Sequence, residues 1–223
     1  MTERALLLLA SNSPRRRELL SLGKWVFSIS VSSVDESQQT GEAPADYVLR
    51  LAEAKARAAT PNARPEHILI GADTTVVDEN RILGKPKDAA EATAMLKLLR
   101  GHTHQVYTAL AVLRMRDERL VSDLCVTDVP MRRYSDEEIE AYVASGDPLD
   151  KAGAYAIQHA KFHPAENLRG CFASVMGMPL CHLLRVLQKM EAEVDTSIPA
   201  ACQSLLQYQC PVSPAILRGE QAG

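Results

Sequence analysis

The chain predicts an α/β fold, and three observations carry that prediction. Apolar runs of strand length, Leu6 to Ala10 and His67 to Val77, alternate with segments whose apolar residues recur at helical spacing. Helix-start residues stand in front of several of those segments. Two long β-rich runs, Val106 to Arg114 and Leu120 to Arg132, then follow each other across the polar turn Arg116-Asp117-Glu118-Arg119.

Taken in order, Leu6 to Ala10 reads as a buried first strand. Pro14 to Leu22 reads as a helix, with Ser13 placed to cap it and Pro14 suited to a first turn whose N–H groups have no partner. Val26 to Val31 alternates like a strand. Pro44 to Ala59 carries Tyr47, Val48, Leu51, Ala52 and Ala56 at helical spacing and stops at Thr60-Pro61. His67 to Val77 is the next strand, with Gly71-Ala72-Asp73 expected to interrupt it. Asp88 to Leu99 is a helix halted near Gly101. Ser135 opens a helix to about Ala144, with Glu138 completing a capping box. Met178 to Val194 is the last segment with clear helical periodicity. Residues 1–194 therefore read as one domain. Residues 195–223, broken by Pro199, Pro211 and Pro214, read as a C-terminal extension with little predictable structure.

At 223 residues the chain can bury a full core, and its 46% apolar and 24% charged composition is that of a soluble globular protein. A net charge of −3 lacks the basic excess that a nucleic-acid footprint needs. No apolar run is long enough to span a membrane. The six-residue run Ala5 to Ala10 superficially resembles a signal peptide. It is too short, however, and its Arg cluster follows it rather than preceding it. The cysteines, Cys125, Cys171, Cys181, Cys202 and Cys210, form no Cys-x-x-Cys pair. They suggest neither a zinc ribbon nor a disulfide framework, and read as buried thiols of a cytoplasmic protein.

Three segments stand out chemically. Ser11-Asn12-Ser13-Pro14-Arg15-Arg16-Arg17 puts free backbone N–H groups, a helix dipole and three arginines at one helix start. Arginines there oppose the dipole, a local penalty of the kind that marks an anion site, and their planar forks suit phosphate. Gly71-Ala72-Asp73-Thr74 places a carboxylate inside an apolar strand, which is costly unless it is paired, protonated or metal-bound. Asp150-Lys151-Ala152-Gly153-Ala154-Tyr155-Ala156-Ile157-Gln158 ends on an amide able to read a base edge. Glu36, Lys55 and Lys85 supply further charge. Together these are an inventory for phosphoryl chemistry, although no Walker loop, dinucleotide fingerprint or His-Glu-x-x-His pair occurs. Gly101-His102-Thr103-His104 offers a His pair with no third ligand near it, so turn or supporting roles are expected.

In this order the segments resemble the Maf family, described as septum-formation inhibitors and as nucleoside triphosphate pyrophosphatases. Val34-Asp35-Glu36, Lys55-Ala56, Gly84-Lys85-Pro86, Gly101-His102-Thr103-His104-Gln105-Val106 and Val175-Met176-Gly177-Met178-Pro179-Leu180 complete the set, which spans about Leu6 to Met190. The resemblance implies an inosine-triphosphatase-like α/β fold with a mixed sheet and two lobes around a central cleft, often dimeric. It also implies cleavage of a nucleoside triphosphate to monophosphate and pyrophosphate with a divalent metal, Mg2+ or Mn2+. The family's catalytic acid falls on Asp73, and the positions tied to base choice fall on Arg15, Thr74 and Gln158. The Lys-Ala-Gly-x-Tyr-x-Ile-Gln form looks like the branch acting on dTTP and UTP. Glu36 and Asp73 are then expected to hold the metal, and Ser11, Arg15, Arg16, Lys55 and Lys85 to meet the phosphates. The chain departs from the family where His159-Ala160-Lys161-Phe162-His163-Pro164 replaces the usual glycine after Gln158, and again from residue 195 onward. Two rival functions follow: a nucleotide- or protein-binding regulator of cell division without turnover, and a pyrophosphatase with another base preference, ITP or 7-methyl-GTP.

Overall fold

The computed structural model describes residues 6–31, 33–220 and 222–223, so the start of the chain, including Ala5 of the first apolar run, lies outside it. In chain order the elements are β1 (Leu6–Leu9), α1 (Pro14–Ser21), β2 (Phe27–Ile29), α2 (Pro44–Ala58), β3 (His67–Asp78), β4 (Arg81–Leu83) and α3 (Ala89–Leu99). They continue as β5 (Thr103–Arg114), β6 (Arg119–Pro130), α4 (Asp136–Ala144), α5 (Phe172–Val175), α6 (Leu180–Lys189), α7 (Ile198–Leu206) and α8 (Ser213–Leu217). The helix starts obey the caps read from sequence. Ser13 accepts the Arg16 N–H and Pro14 sits in the first turn of α1. Asp88 caps α3 rather than joining it, and Ser135 with Glu138 closes a capping box on α4.

One mixed sheet, ordered β2–β1–β3–β5–β6, forms the centre of the fold, with β4 paired to the far half of β3. β1 runs parallel to β2 and β3, and the other pairs are antiparallel. Because side chains alternate between faces, Leu8 and Leu69 point to α2, while Leu7, Leu9, Ile68 and Ile70 point into the larger core on the opposite face. Gly71-Ala72-Asp73 does not interrupt β3, contrary to the sequence expectation. Their ladder partners Ala111, Leu110 and Ala109 on β5 hold the backbone extended. The cost of the buried carboxylate is met by side-chain pairing, with no break in the strand.

Two features of the sheet create the site. The β1–β3 ladder ends at Leu9–Ile70, and β4 joins β3 only from Val76 onward, so Gly71 to Thr75 border a notch between the two neighbours. α2 also lies very close to β3. A Cβ on Gly71 would stand 2.0 Å from the Ala52 carbonyl oxygen and 2.6 Å from the Ala56 nitrogen. Only glycine permits this approach, which brings Lys55 of α2 over the strand.

The C-terminal extension carries two short helices. Pro199 and Pro214 lie in the first turns of α7 and α8, where a missing N–H costs nothing, so residues read as breakers are helix starters here. α6 is shorter than the periodicity suggested. It ends at Lys189, where the Glu191 backbone turns to a positive φ of 57°. The extension is tied to α6 through Arg185, which donates to the Glu220 carbonyl at 2.8 Å and pairs with the buried Asp123 of β6 at 2.6 Å. His182 lies 3.0 Å from the Ala222 carbonyl.

Gly71→Val should overpack the α2–β3 contact and cost about 1–3 kcal/mol of stability, read from the midpoint of urea unfolding. An unchanged midpoint would show that α2 does not depend on this close approach.

Candidate active site

The period of a strand places Asp73 and Thr74 on opposite faces of β3. On the α2 face, Lys55 Nζ donates to Asp73 Oδ1 at 2.6 Å and stands 2.7 Å from Glu36 Oε1. Glu36 itself comes from the loop after β2, whose carbonyl oxygen accepts the Tyr47 hydroxyl of α2 at 2.9 Å. One ammonium group thus holds two carboxylates from different parts of the chain in register. Asp73 is nearly buried while the Glu36 side chain is 54% exposed, and the two respond differently. Burial raises the Asp73 carboxyl above its ordinary value, outweighing the opposing pull of Lys55 and Arg16. Burial also works against the charge of Glu36, but there Lys55, with Lys85 and Arg16 behind it, prevails and keeps the carboxyl below its usual range.

On the other face, Arg16 forms a clamp. Its Nε donates to the Gly177 carbonyl at 2.9 Å, Nη1 to Ser11 Oγ at 3.2 Å and Nη2 to Thr74 Oγ1 at 3.1 Å. Burial disfavours the guanidinium charge, and Asp73 and Glu36 offset part of that cost. Gly177 adopts a φ of +101°, and a Cβ there would meet Thr74 Oγ1 at 3.2 Å and Arg16 Nε at 3.3 Å, so the clamp needs glycine. Thr108 Oγ1 donates to the Ser174 carbonyl at 2.8 Å and lies 3.0 Å from Thr74 Oγ1. A hydroxyl has a single proton, so Thr74 must be the donor in that second contact.

A cleft of about 650 Å3 opens at the sheet notch, and Ser11, Arg15, Arg16, Glu36, Lys55, Asp73, Thr74, Lys85 and Gln158 all line it. The nine residues expected to act on metal, phosphate or base therefore reach one place. Asp73, Glu36 and Lys55 form an acidic cluster in it, Arg15 and Lys85 add positive charge, and Gln158 is an exposed residue of its lining. Sequence reasoning assigned no part to Gly177 or Thr108, whose contributions are a backbone carbonyl and a support behind Thr74. Lys151 also lines the cleft, but its ammonium is held by the Asp147 carbonyl at 2.6 Å and Asp150 Oδ1 at 2.6 Å, which fixes the turn leading to Gln158. The two histidines support neighbours. His102 Nε2 lies 2.9 Å from Asp78, and buried His104 lies 2.8 Å from the Tyr155 hydroxyl, with burial drawing its pKa down to about 4.

Among the described residues no three His, Cys, Asp or Glu side chains form a finished cage for an ion. Glu36 and Asp73 are two hard oxygen donors facing one cleft. That suits a cation such as Mg2+, which takes one or two protein carboxylates and fills its remaining positions with water and substrate phosphate.

The geometry can be set beside known proteins. A family model described as Maf-like protein matches residues 6–190. A dTTP/UTP pyrophosphatase of Bacillus cereus (strain B4264) is 44% identical over 188 residues, covering 84% of this chain and 97% of the relative. A dTTP/UTP pyrophosphatase of Geotalea uraniireducens (strain Rf4) is 43% identical over 192 residues, 86% of this chain and 98% of the relative. Among solved structures, the Staphylococcus aureus Ham1 protein is similar at 14% identity and a TM-score of 0.44, over 83% of this chain and 99% of that one.

Replacing Lys55 by Met removes the charge that opposes the burial of Asp73, so the Asp73 pKa should rise further above its wild-type value. A carboxyl-carbon NMR titration measures this, and a fall would contradict the pairing.

Proposed function

Because the chain belongs to the Maf family, we propose that it is a nucleoside triphosphate pyrophosphatase that converts dTTP and UTP to the monophosphate and pyrophosphate. The observation that carries this reading is the Asp73–Lys55–Glu36 cluster in a cleft whose other walls bear Arg15, Arg16 and Lys85. The 43–44% identity to dTTP/UTP pyrophosphatases over most of both chains supports the substrate class. No helix among the described residues is long and apolar enough to cross a membrane. The proposal includes a cytoplasmic setting, a homodimer and no nucleic-acid partner.

In the proposed reaction a water oxygen bonds to the α-phosphorus and the α–β bridging P–O bond breaks. Pyrophosphate leaves with the electron pair, and Asp73 receives the proton of the attacking water. A carboxyl raised above its ordinary value is a better base than a free aspartate, and Lys55 keeps it oriented after it is buried. Arg15 and Lys85 meet the charge that develops on the phosphate oxygens. Arg16 spends three of its donors on Ser11, Thr74 and Gly177, so it shapes the phosphate end of the cleft chiefly by holding these groups in place. Thr74 enters base choice through that clamp, and Gln158 offers its amide to the base edge. Glu36 and Asp73 would hold the divalent cation, Mg2+ or Mn2+, which when bound neutralises phosphate charge and polarises the P–O bonds.

Asp73→Asn should lower pyrophosphate release from dTTP by about 10²–10⁴-fold while leaving the circular dichroism spectrum unchanged. Folded protein with near wild-type turnover would refute the role of Asp73. Binding of dTTP without release of pyrophosphate by the wild type would refute the activity itself. A preference for ITP or 7-methyl-GTP over dTTP and UTP would overturn the substrate class.

A further inference from the structure

A second hollow adjoins the cleft. Its volume is about 640 Å3, nearly that of the cleft, and Ile157, Gln158 and Met176 line both. Part of its lining comes from beyond the family match, which ends at residue 190. Leu205 and Leu206 of α7 and Tyr208 after it join Leu168 and Phe172 there. The Tyr208 hydroxyl donates to the Gly170 carbonyl at 2.8 Å, and the Tyr208 ring stands 5.6 Å from that of Phe172. The extension is therefore fastened to the main domain at the place where the hollow forms.

The two cavities differ in charge. Arg15, Arg16, Lys55 and Lys85 line the cleft, whereas among the described residues no lysine or arginine lines the hollow. The hollow carries instead the exposed carboxylates of Glu18, on α1, and Glu166, set among apolar and aromatic side chains. A triphosphate is repelled by such a lining and drawn to the cleft, so the part of a nucleotide that can enter the hollow is its base end.

Gln158 belongs to the border between them. In a pyrimidine, the ring carbon at position 5 adjoins the C4 carbonyl or amine, a group that a glutamine amide can pair with. A substituent on C5 of a base read by Gln158 thus starts beside the residue that both cavities share. The methyl group of dTTP or the hydrogen of UTP is far too small to fill a hollow of about 640 Å3. A longer apolar arm would bury against side chains such as Ile157, Met176 and Phe172, and a positive end would meet Glu18 or Glu166.

We propose that this hollow is a subsite for an arm on C5 of the pyrimidine base, apolar along its length and ending in an amino group, and that pyrimidine nucleoside triphosphates bearing such an arm are preferred substrates. The reaction rests on the pyrophosphatase reading above, and only the choice of arm rests on the hollow. Pyrophosphate release from dTTP, 5-(3-aminoallyl)-dUTP and (E)-5-(2-carboxyvinyl)-dUTP by the full chain tests it. The aminoallyl nucleotide should show a KM about tenfold below that of dTTP with a similar kcat, and the carboxyvinyl nucleotide a KM above that of dTTP. Glu18→Gln/Glu166→Gln should abolish the discrimination between the two arms. Leu205→Trp, which fills the hollow from an exposed position, should raise the aminoallyl KM to that of dTTP and leave dTTP turnover unchanged. An aminoallyl KM equal to or above that of dTTP, equal KM values for the two arms, or an aminoallyl advantage that survives Leu205→Trp overturns the proposal. If no nucleotide releases pyrophosphate, the enzymatic reading fails by itself. Equilibrium binding of the same three nucleotides to wild type and both variants then decides the subsite, with the same order of affinities expected and any other order overturning it.

Discussion

The site depends on the contact between Lys55 and Asp73. An aspartate in the middle of a buried ladder is unfavourable by itself, and removing one partner of such a pair costs about 3–5 kcal/mol. Lys55 can reach Asp73 because α2 sits almost on the backbone of β3, and α2 can do so because residue 71 has no side chain. The same ammonium group reaches outward to Glu36 on the loop after β2. A close helix–strand contact therefore fixes where a buried carboxylate, a half-exposed carboxylate and the mouth of the cleft lie relative to one another.

The sheet supplies the opening. β1 stops at Leu9 and β4 pairs only from Val76 onward, so the edge of β3 away from β5 is bare through the stretch that carries Asp73 and Thr74. Alternation then separates two tasks. Asp73 faces α2 and the acidic pair, while Thr74 faces Arg16, which gathers the β1–α1 turn, β3 and the Gly177 turn at one guanidinium. Arg16 is costly to bury and sits at a helix start whose dipole opposes it. Its clamp is the return for that local penalty.

Most of this was legible in the sequence because the relevant rules are local. Caps at Ser13 and Ser135 follow from side-chain oxygens and helix termini, and the strands from short apolar runs. The cost of a buried Asp73 was visible from its neighbours alone. What was not legible depended on distant partners. The strand continues through Gly71-Ala72-Asp73 because β5 pairs with every residue there, which the segment itself does not record. The extension looked featureless because its helices are too short to show a period and begin at prolines. The resemblance to the Maf family joined the local readings into one site, and the cleft brings all nine of those residues to it.

If Lys55 makes Asp73 and Glu36 a single unit, their contributions to turnover must be coupled. The direct measurement is a double-mutant cycle of Asp73→Asn and Glu36→Gln, with kcat/KM for dTTP read from pyrophosphate release. The account predicts that the double variant is about as impaired as the worse single variant, as residues acting together behave. Losses that multiply, leaving the double variant impaired by the product of the two single effects, would show that the carboxylates act independently and would contradict it.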